Sequence, residues 1–286
     1  MSVLSYFKLL RPQQWYKNVL VFLTLFFTSQ VFNVELLTLS LLGFVVLCLT
    51  SSSGYIINDI KDLKEDRAHP EKRLRPIASG KVPIWLAVII SIILLILAFL
   101  ISWIWLPKLF MIIPALLFVL TQIYSFFLKH EPVIDVLMIA INFVIRALSG
   151  AFILNVMISP WLVMCTFFLA LFLVFGKRRA DLMFLGEKAG LHKKVFNHYT
   201  KEILDSAMYV STSALIISYS LYSFLRRQET LLITLPFVFY GIFRYLILIY
   251  SGSDIARHPE KVFKDWRMDV TMLLWAVLTF ILIYFY

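Results

Sequence analysis

The chain has 286 residues, 61% of them hydrophobic, and a formal net charge of +10; its mean hydropathy is +0.86. A soluble domain of this length would be roughly half apolar, so the composition excludes an ordinary water-soluble fold and points to the membrane class. The sequence contains no glycine-rich phosphate loop, no CxxC or HExxH metal signature and no low-complexity tract.

In chain order, the opening MSVLSYFKLLRPQQWYKN is basic and amphipathic, without the short apolar core and small-residue cleavage site expected of a removable signal peptide. A helical crossing needs about 20 apolar residues. Such helices are expected near 15–33, 37–58, 83–104, 109–128, 133–153, 161–177, 203–225, 230–249 and 269–286, nine in all. Pro83, Pro107, Pro132 and Pro160 fall at the junctions, where helices break. Cys48 and Cys165 lie inside apolar runs and are expected to pack there without redox chemistry.

Charge placement agrees with nine crossings. With the N-terminus inside, 22 of the 27 Lys and Arg residues fall on the cytoplasmic side. Three, Lys108, Arg226 and Arg227, fall opposite, and Arg146 and Arg244 lie within spans. This bias predicts a multi-pass cell-membrane protein with its N-terminus and its polar site cytoplasmic and its C-terminus outside. Attraction to anionic headgroups accounts for most of the basic residues, and no nucleic-acid partner is expected. Residues 1–286 are expected to form a single transmembrane catalytic domain.

The stretch NDIKDLKEDRAHPEKRLRPIASG, residues 58–80, follows the second expected span without a breaker before Pro70. Asn58, Asp59, Asp62 and Asp66 follow the pattern NDxxDxxxD, which on a helix stacks the three aspartates on one stripe. Like charges at that spacing repel, and a hard divalent cation such as Mg2+ offsets them. Magnesium takes one or two carboxylates and completes its shell with water and substrate phosphate, so the pattern reads as a diphosphate docking site. Lys61, Lys64, Glu65 and Arg67 also permit a plain salt-bridged helix end.

This run resembles the first aspartate-rich motif of the UbiA-type intramembrane prenyltransferases. The resemblance covers most of the chain. It implies an all-α membrane protein of nine transmembrane helices around a central cavity, and magnesium-dependent transfer from a diphosphate donor. LRPQQWYKN at 10–18, IYSFFLKHEPVIDVLMIAINFVIRALSGAF at 123–152 and FGKRRADL at 175–182 are similar to one branch, the decaprenyl-phosphate phosphoribosyltransferases. That branch implies transfer of 5-phosphoribose from phosphoribosyl pyrophosphate to a polyprenyl phosphate, with release of pyrophosphate. Most of the superfamily carries a second DxxxD at the end of the sixth span. Here the stretch reads KRRAD, with Lys177 where the first acid would stand, Asp181 as the second, and Arg178 and Arg179 between them. Three adjacent cations suit a donor and an acceptor that both carry extra phosphate.

On this reading Asp59, Asp62 and Asp66 are catalytic and, with Asn58, hold the metal. Substrate binding falls to Lys17, Tyr55, Arg67, His69, Lys72, Arg73, Arg75, Arg146, Lys177, Arg178 and Asp181. Tyr55 lies one helical turn before Asn58 and can meet the ribose or sit as an interfacial tyrosine. Trp15 reads as an interface anchor, and Lys17 can turn inward to phosphate. Asp135, Asn142 and Arg146 share one stripe of the fifth span, so Arg146 is expected to meet Asp135-side groups or a substrate phosphate. Arg244 poses the same question. Asp254, Arg257, Glu260, Lys261 and Asp265 form a lid or, more simply, a solvated loop. Two alternatives remain: prenyl transfer to an aromatic or quinone-precursor acceptor, against which KRRAD argues, and a transporter, against which the one-sided charge argues.

Overall fold

The computed structural model describes residues 3–186, 189–225 and 229–285. Among these, every regular element is helical. Eight helices are long and apolar enough to cross a membrane: α1 Val34–Lys61, α2 Ile84–Trp105, α3 Lys108–Leu128, α4 Ile134–Leu154, α5 Pro160–Leu185, α6 Lys201–Leu225, α7 Glu229–Tyr250 and α8 Trp266–Phe285. They match the last eight expected spans, and Pro83 and Pro160 stand at helix starts. Arg226 and Arg227 lie outside the described residues.

Two elements differ from expectation. The first expected span, 15–33, is not one long helix. It is a 3₁₀ segment, Pro12–Val21, followed by the short helix Phe22–Phe27. The fifth long helix, α5, continues eight residues beyond the expected end at 177 and carries KRRAD within it. The charged residues of KRRAD do not break the helix because each finds a partner on a neighbouring element, as described below.

The chain divides into two compact units. The first comprises Met1–Leu25, Gln30–Lys129 and Ile145–Val156. In it α1 packs against α2, and Val46, Leu47, Ala98, Phe110 and Leu117 are buried together. A second cluster of Leu9, Ile56, Ile77, Val82 and Ala87 holds the 69–82 loop to the last turns of α1. Gly150 is required by contact, since a Cβ there would overlap the carbonyl oxygen of Val21.

The second unit comprises Phe26–Ser29, His130–Val144 and Met157–Tyr286. Here α5 packs along α6, and Phe172, Leu204, Met208 and Ile249 are buried in one core. Gly176 lets α7 approach just before KRRAD, because a Cβ would meet the side chain of Ile249. Cys48 and Cys165 are buried free thiols in their respective cores.

Candidate active site

In the first unit, α1 ends where the acidic motif begins. The amide of Asp62 still donates to the Asn58 carbonyl at 2.9 Å, but Asp62 itself leaves helical geometry (φ −88°, ψ 16°). A short helix, Leu63–Ala68, then continues the chain. This joint divides the expected stripe. Asp59 and Asp66 remain on one side, where the guanidinium of Arg75 bridges them at 3.0 and 2.5 Å. Asp59 also accepts from Arg11. Asp62 turns away and meets the ammonium of Lys129 at 2.5 Å. The exposures separate the three acids: 3% for Asp59 and 2% for Asp66, but 20% for Asp62.

Arg11 and Lys129 were missed as site residues. Arg11 lies 48 positions from Asp59, and Lys129 lies 67 positions from Asp62. Both depend on local backbone irregularity. Arg11 holds a left-handed conformation (φ 53°) at the start of the 3₁₀ segment. Lys129 follows a π-helical turn, Tyr124–Leu128, and its amide donates to the Tyr124 carbonyl at 3.0 Å. Such turns recur at functional positions.

The rest of the 67–75 set divides. Arg67 donates to the Ala78 carbonyl at 3.3 Å and braces the loop. His69 Nδ1 accepts from the amides of Glu71 and Lys72 at 3.1 and 3.3 Å, at the start of a 3₁₀ turn. Lys72 and Arg73 are exposed.

One turn deeper in the same unit, Tyr55 lies in the fields of Lys17, Arg146 and Arg11, with the Arg11 guanidinium 5.3 Å from its ring centre. Burial draws the Arg11 guanidinium below its ordinary value, and the Asp59 carboxylate opposes this. Arg146 donates to Asn18 Oδ1 at 2.9 Å and to Ser51 Oγ at 3.4 Å. Asn18 in turn donates to Cys48 at 3.3 Å. Trp15 is turned onto α1, donating to Ser52 Oγ at 3.1 Å, in place of the simple interface anchor expected.

The oxygen donors suit magnesium. Asp62 is the most open of the three acids, and Asn58, one turn before it, is half-buried. Asp59 and Asp66 have oxygens committed to guanidinium groups. No group of three or more His, Cys, Asp or Glu among the described residues is gathered to hold a metal. A metal here would therefore rest on Asp62 and Asn58 and take its remaining ligands from water and substrate oxygens.

In the second unit, KRRAD occupies the last turns of α5. Arg178 donates to Asp135 through Nε and Nη2 at 3.1 and 2.9 Å. Asp135, fully buried, also accepts from Lys193 at 3.0 Å and from the Tyr199 hydroxyl at 2.7 Å. Burial first, and then that hydrogen bond, push the Tyr199 hydroxyl well above its ordinary value, so it stays a donor. The same hydroxyl accepts from the Val133 amide at 2.8 Å. Val133 holds φ 66°, a strained conformation for a β-branched residue.

The expected Asp135–Asn142–Arg146 stripe is thus corrected. Asp135 takes Arg178, Lys193 and Tyr199, and Asn142 donates to the Met138 carbonyl at 2.9 Å. Arg146 takes Asn18 and Ser51. Arg179 pairs with Asp205 at 2.5 Å and lies 4.0 Å over the Tyr250 ring. Lys177 donates to the backbone carbonyl of Arg257, and the Arg257 side chain meets Asp181 at 3.4 Å. Arg244, left open by the sequence, pairs with Asp265 at 2.5 and 3.2 Å. Asp265 also caps α8 through the Met268 amide, and the Arg244 hydrogen bond holds its carboxyl below the ordinary value.

Residues 18–256 match the UbiA prenyltransferase family. A decaprenyl-phosphate phosphoribosyltransferase of Mycolicibacterium smegmatis is 34% identical over 94% of this chain and 89% of that protein. The protein of the same name from Mycobacterium tuberculosis is 31% identical over 94% of this chain and 90% of its own. Among solved structures, a UbiA homolog from Archaeoglobus fulgidus bound to GPP and Mg2+ superposes with a TM-score of 0.73 at 21% identity, covering 98% of this chain and 99% of that one. The chain belongs to the UbiA prenyltransferase family. It is a multi-pass membrane transferase.

Proposed function

We propose that this transferase moves 5-phosphoribose from phosphoribosyl pyrophosphate to a polyprenyl phosphate, releasing pyrophosphate with the help of Mg2+. Residues 1–286 act as one catalytic domain. The observation that carries the reading is the charge around KRRAD: five cations, Lys177, Arg178, Arg179, Lys193 and Arg257, against three carboxylates, Asp135, Asp181 and Asp205. An allylic diphosphate with a neutral phenol does not call for that excess, whereas a donor with a separate 5-phosphate and an anionic acceptor does. The names of the relatives that match along 94% of the chain support the same chemistry.

Asp62 and Asn58 hold the metal, and Asp59 and Asp66 keep Arg75 in place beside them. Magnesium bound there would neutralise the departing pyrophosphate. The bond from ribose C1 to the pyrophosphate oxygen breaks while an oxygen of the lipid phosphate bonds to C1. That oxygen is already an anion near neutral pH, so no strong general base is needed. Bringing anions together is the main task. Two unit charges 4 Å apart repel by about 4 kcal/mol at an effective dielectric near 20, and each unit carries cations to offset such repulsion: Lys17, Lys129 and Arg146 in the first, Lys177 in the second. Tyr55 is proposed to contact the ribose.

The site is proposed to be cytoplasmic, with the N-terminus inside and the C-terminus outside. Pro12–Phe27 is proposed as the ninth crossing. With rises of about 2.0 Å per 3₁₀ residue and 1.5 Å per α residue, it extends about 29 Å, close to the roughly 30 Å of hydrocarbon to be crossed.

The test is pyrophosphate release by purified protein. It should require phosphoribosyl pyrophosphate, polyprenyl phosphate and Mg2+ together, and Lys177→Ala should slow it by about tenfold or more, as loss of a charged hydrogen bond implies. Release at the wild-type rate by Lys177→Ala would remove the cationic motif from the mechanism.

A further inference from the structure

Four arginine–aspartate pairs hold the second unit among its described residues, and one is unlike the rest. Arg178–Asp135, Arg179–Asp205 and Arg244–Asp265 approach to 2.9, 2.5 and 2.5 Å. Arg257–Asp181 stands at 3.4 Å. Arg257 Nε is buried there without an aligned hydrogen bond. The backbone around it is firmly seated. Ile255 and Ala256 are buried, Ser253 Oγ accepts from the Ile255 amide at 3.3 Å, and the Arg257 carbonyl accepts from Lys177. The guanidinium lies 3.5 Å over the Phe184 ring. Stacking fixes the plane of a guanidinium without consuming its N–H donors. The side chain is therefore oriented but weakly committed.

Lys177 stands beside it with three ammonium donors, one of them used on the Arg257 carbonyl. Asp181, one turn after Lys177 on α5, is the carboxylate that Arg257 meets. A planar fork next to a point charge is the donor set that a phosphate monoester takes in bidentate fashion.

We propose that Arg257 is a further substrate-binding residue. With Lys177 it takes a phosphate monoester, the 5-phosphate of the soluble donor, and exchanges its long contact with Asp181 for a bidentate one with phosphate. This rests on the phosphoribosyl reading of the donor. It gives the segment Asp254–Arg257 a role in donor recognition, where the sequence offered only a lid or a solvated loop. The acceptor lipid is the other possible source of the monoester, and the experiment separates the two.

Arg257→Gln and Arg257→Lys are compared with wild type as full-length protein in detergent. The expected result for Arg257→Gln is a KM for phosphoribosyl pyrophosphate raised about tenfold or more, with a smaller change in kcat and little change in the KM for polyprenyl phosphate. Arg257→Lys should recover part of the loss. Binding of ribose 5-phosphate, measured by equilibrium dialysis, should weaken by a similar factor, and binding of pyrophosphate should not. A wild-type donor KM in Arg257→Gln overturns the proposal, as does a loss carried by the lipid KM or an equal loss of pyrophosphate binding. Failure of wild type to turn over phosphoribosyl pyrophosphate would defeat the functional reading by itself. The dialysis arm then still decides this one: selective weakening of ribose 5-phosphate binding supports Arg257, and absence of that binding in wild type overturns it.

Discussion

The two charged regions solve opposite problems. In the first unit, three aspartates crowd the end of α1, and cations come to them from distant positions, with Arg75 serving two acids at once. In the second, consecutive cations crowd the end of α5, and carboxylates come to two of them, Asp135 to Arg178 and Asp205 to Arg179, while Asp181 on α5 itself meets Arg257. The first arrangement leaves one acid, Asp62, comparatively open. The second leaves one cation, Lys177, bonded to a backbone carbonyl in place of a carboxylate. In each region the residue assigned to the chemistry is the less enclosed or less paired one: Asp62 keeps more exposure beside Lys129 than Asp59 and Asp66 do beside Arg75, and Lys177 meets a carbonyl.

The largest expected effect breaks the buried side of this comparison. Asp135→Ala strands Arg178 and Lys193 beside a fully buried position. Removing one partner of a buried pair costs about 3–5 kcal/mol, whereas Asp62→Ala, at a partly exposed pair, should cost about 1 kcal/mol or less. Unfolding of the two variants in detergent checks this, and equal destabilisation would erase the distinction between the regions.

Next is Asp62→Asn, which should fold as wild type but lose several kcal/mol of transition-state stabilisation, a hundredfold or more in rate. A magnesium titration in which mutant and wild type reach the same rate would take Asp62 out of the metal site.

The smallest effect concerns pH. The Arg244 hydrogen bond holds the Asp265 carboxyl below its ordinary value of 3.8. A carboxyl whose folded value lies below its unfolded value adds stability that is complete above the unfolded value and is lost as pH falls through the folded one. The stability gap between wild type and Arg244→Gln should therefore shrink as pH falls from about 5 toward 3. A gap that stays constant over that range would show that the pair acts through packing alone.

Much of the fold was legible because membrane-length apolar runs are long signals, and prolines mark their ends. The form of the first expected span, 15–33, was not, because a 3₁₀ segment carries no distinctive hydropathy. The acidic motif was legible as a spacing, but the division at Asp62 was not. It depends on the joint in α1, on Arg75 in the same stretch, and on Arg11 and Lys129, which lie 48 and 67 positions from their partners. KRRAD was legible as a cluster of charge, yet not which cation was committed. Asp135 is 43 positions from Arg178 and reads locally as one more polar residue on a span. Spacing predicts neighbours on one helix, and these partners sit on others.

The most direct test of the central claim offers the purified protein two labelled donors. One is phosphoribosyl pyrophosphate labelled in the ribose, given with polyprenyl phosphate and Mg2+. The other is an allylic diphosphate given with aromatic acceptors under the same conditions. Label should enter the lipid phase from the first donor, and no prenylated aromatic product should form from the second. Prenylation of an aromatic acceptor without phosphoribosyl transfer would contradict the account.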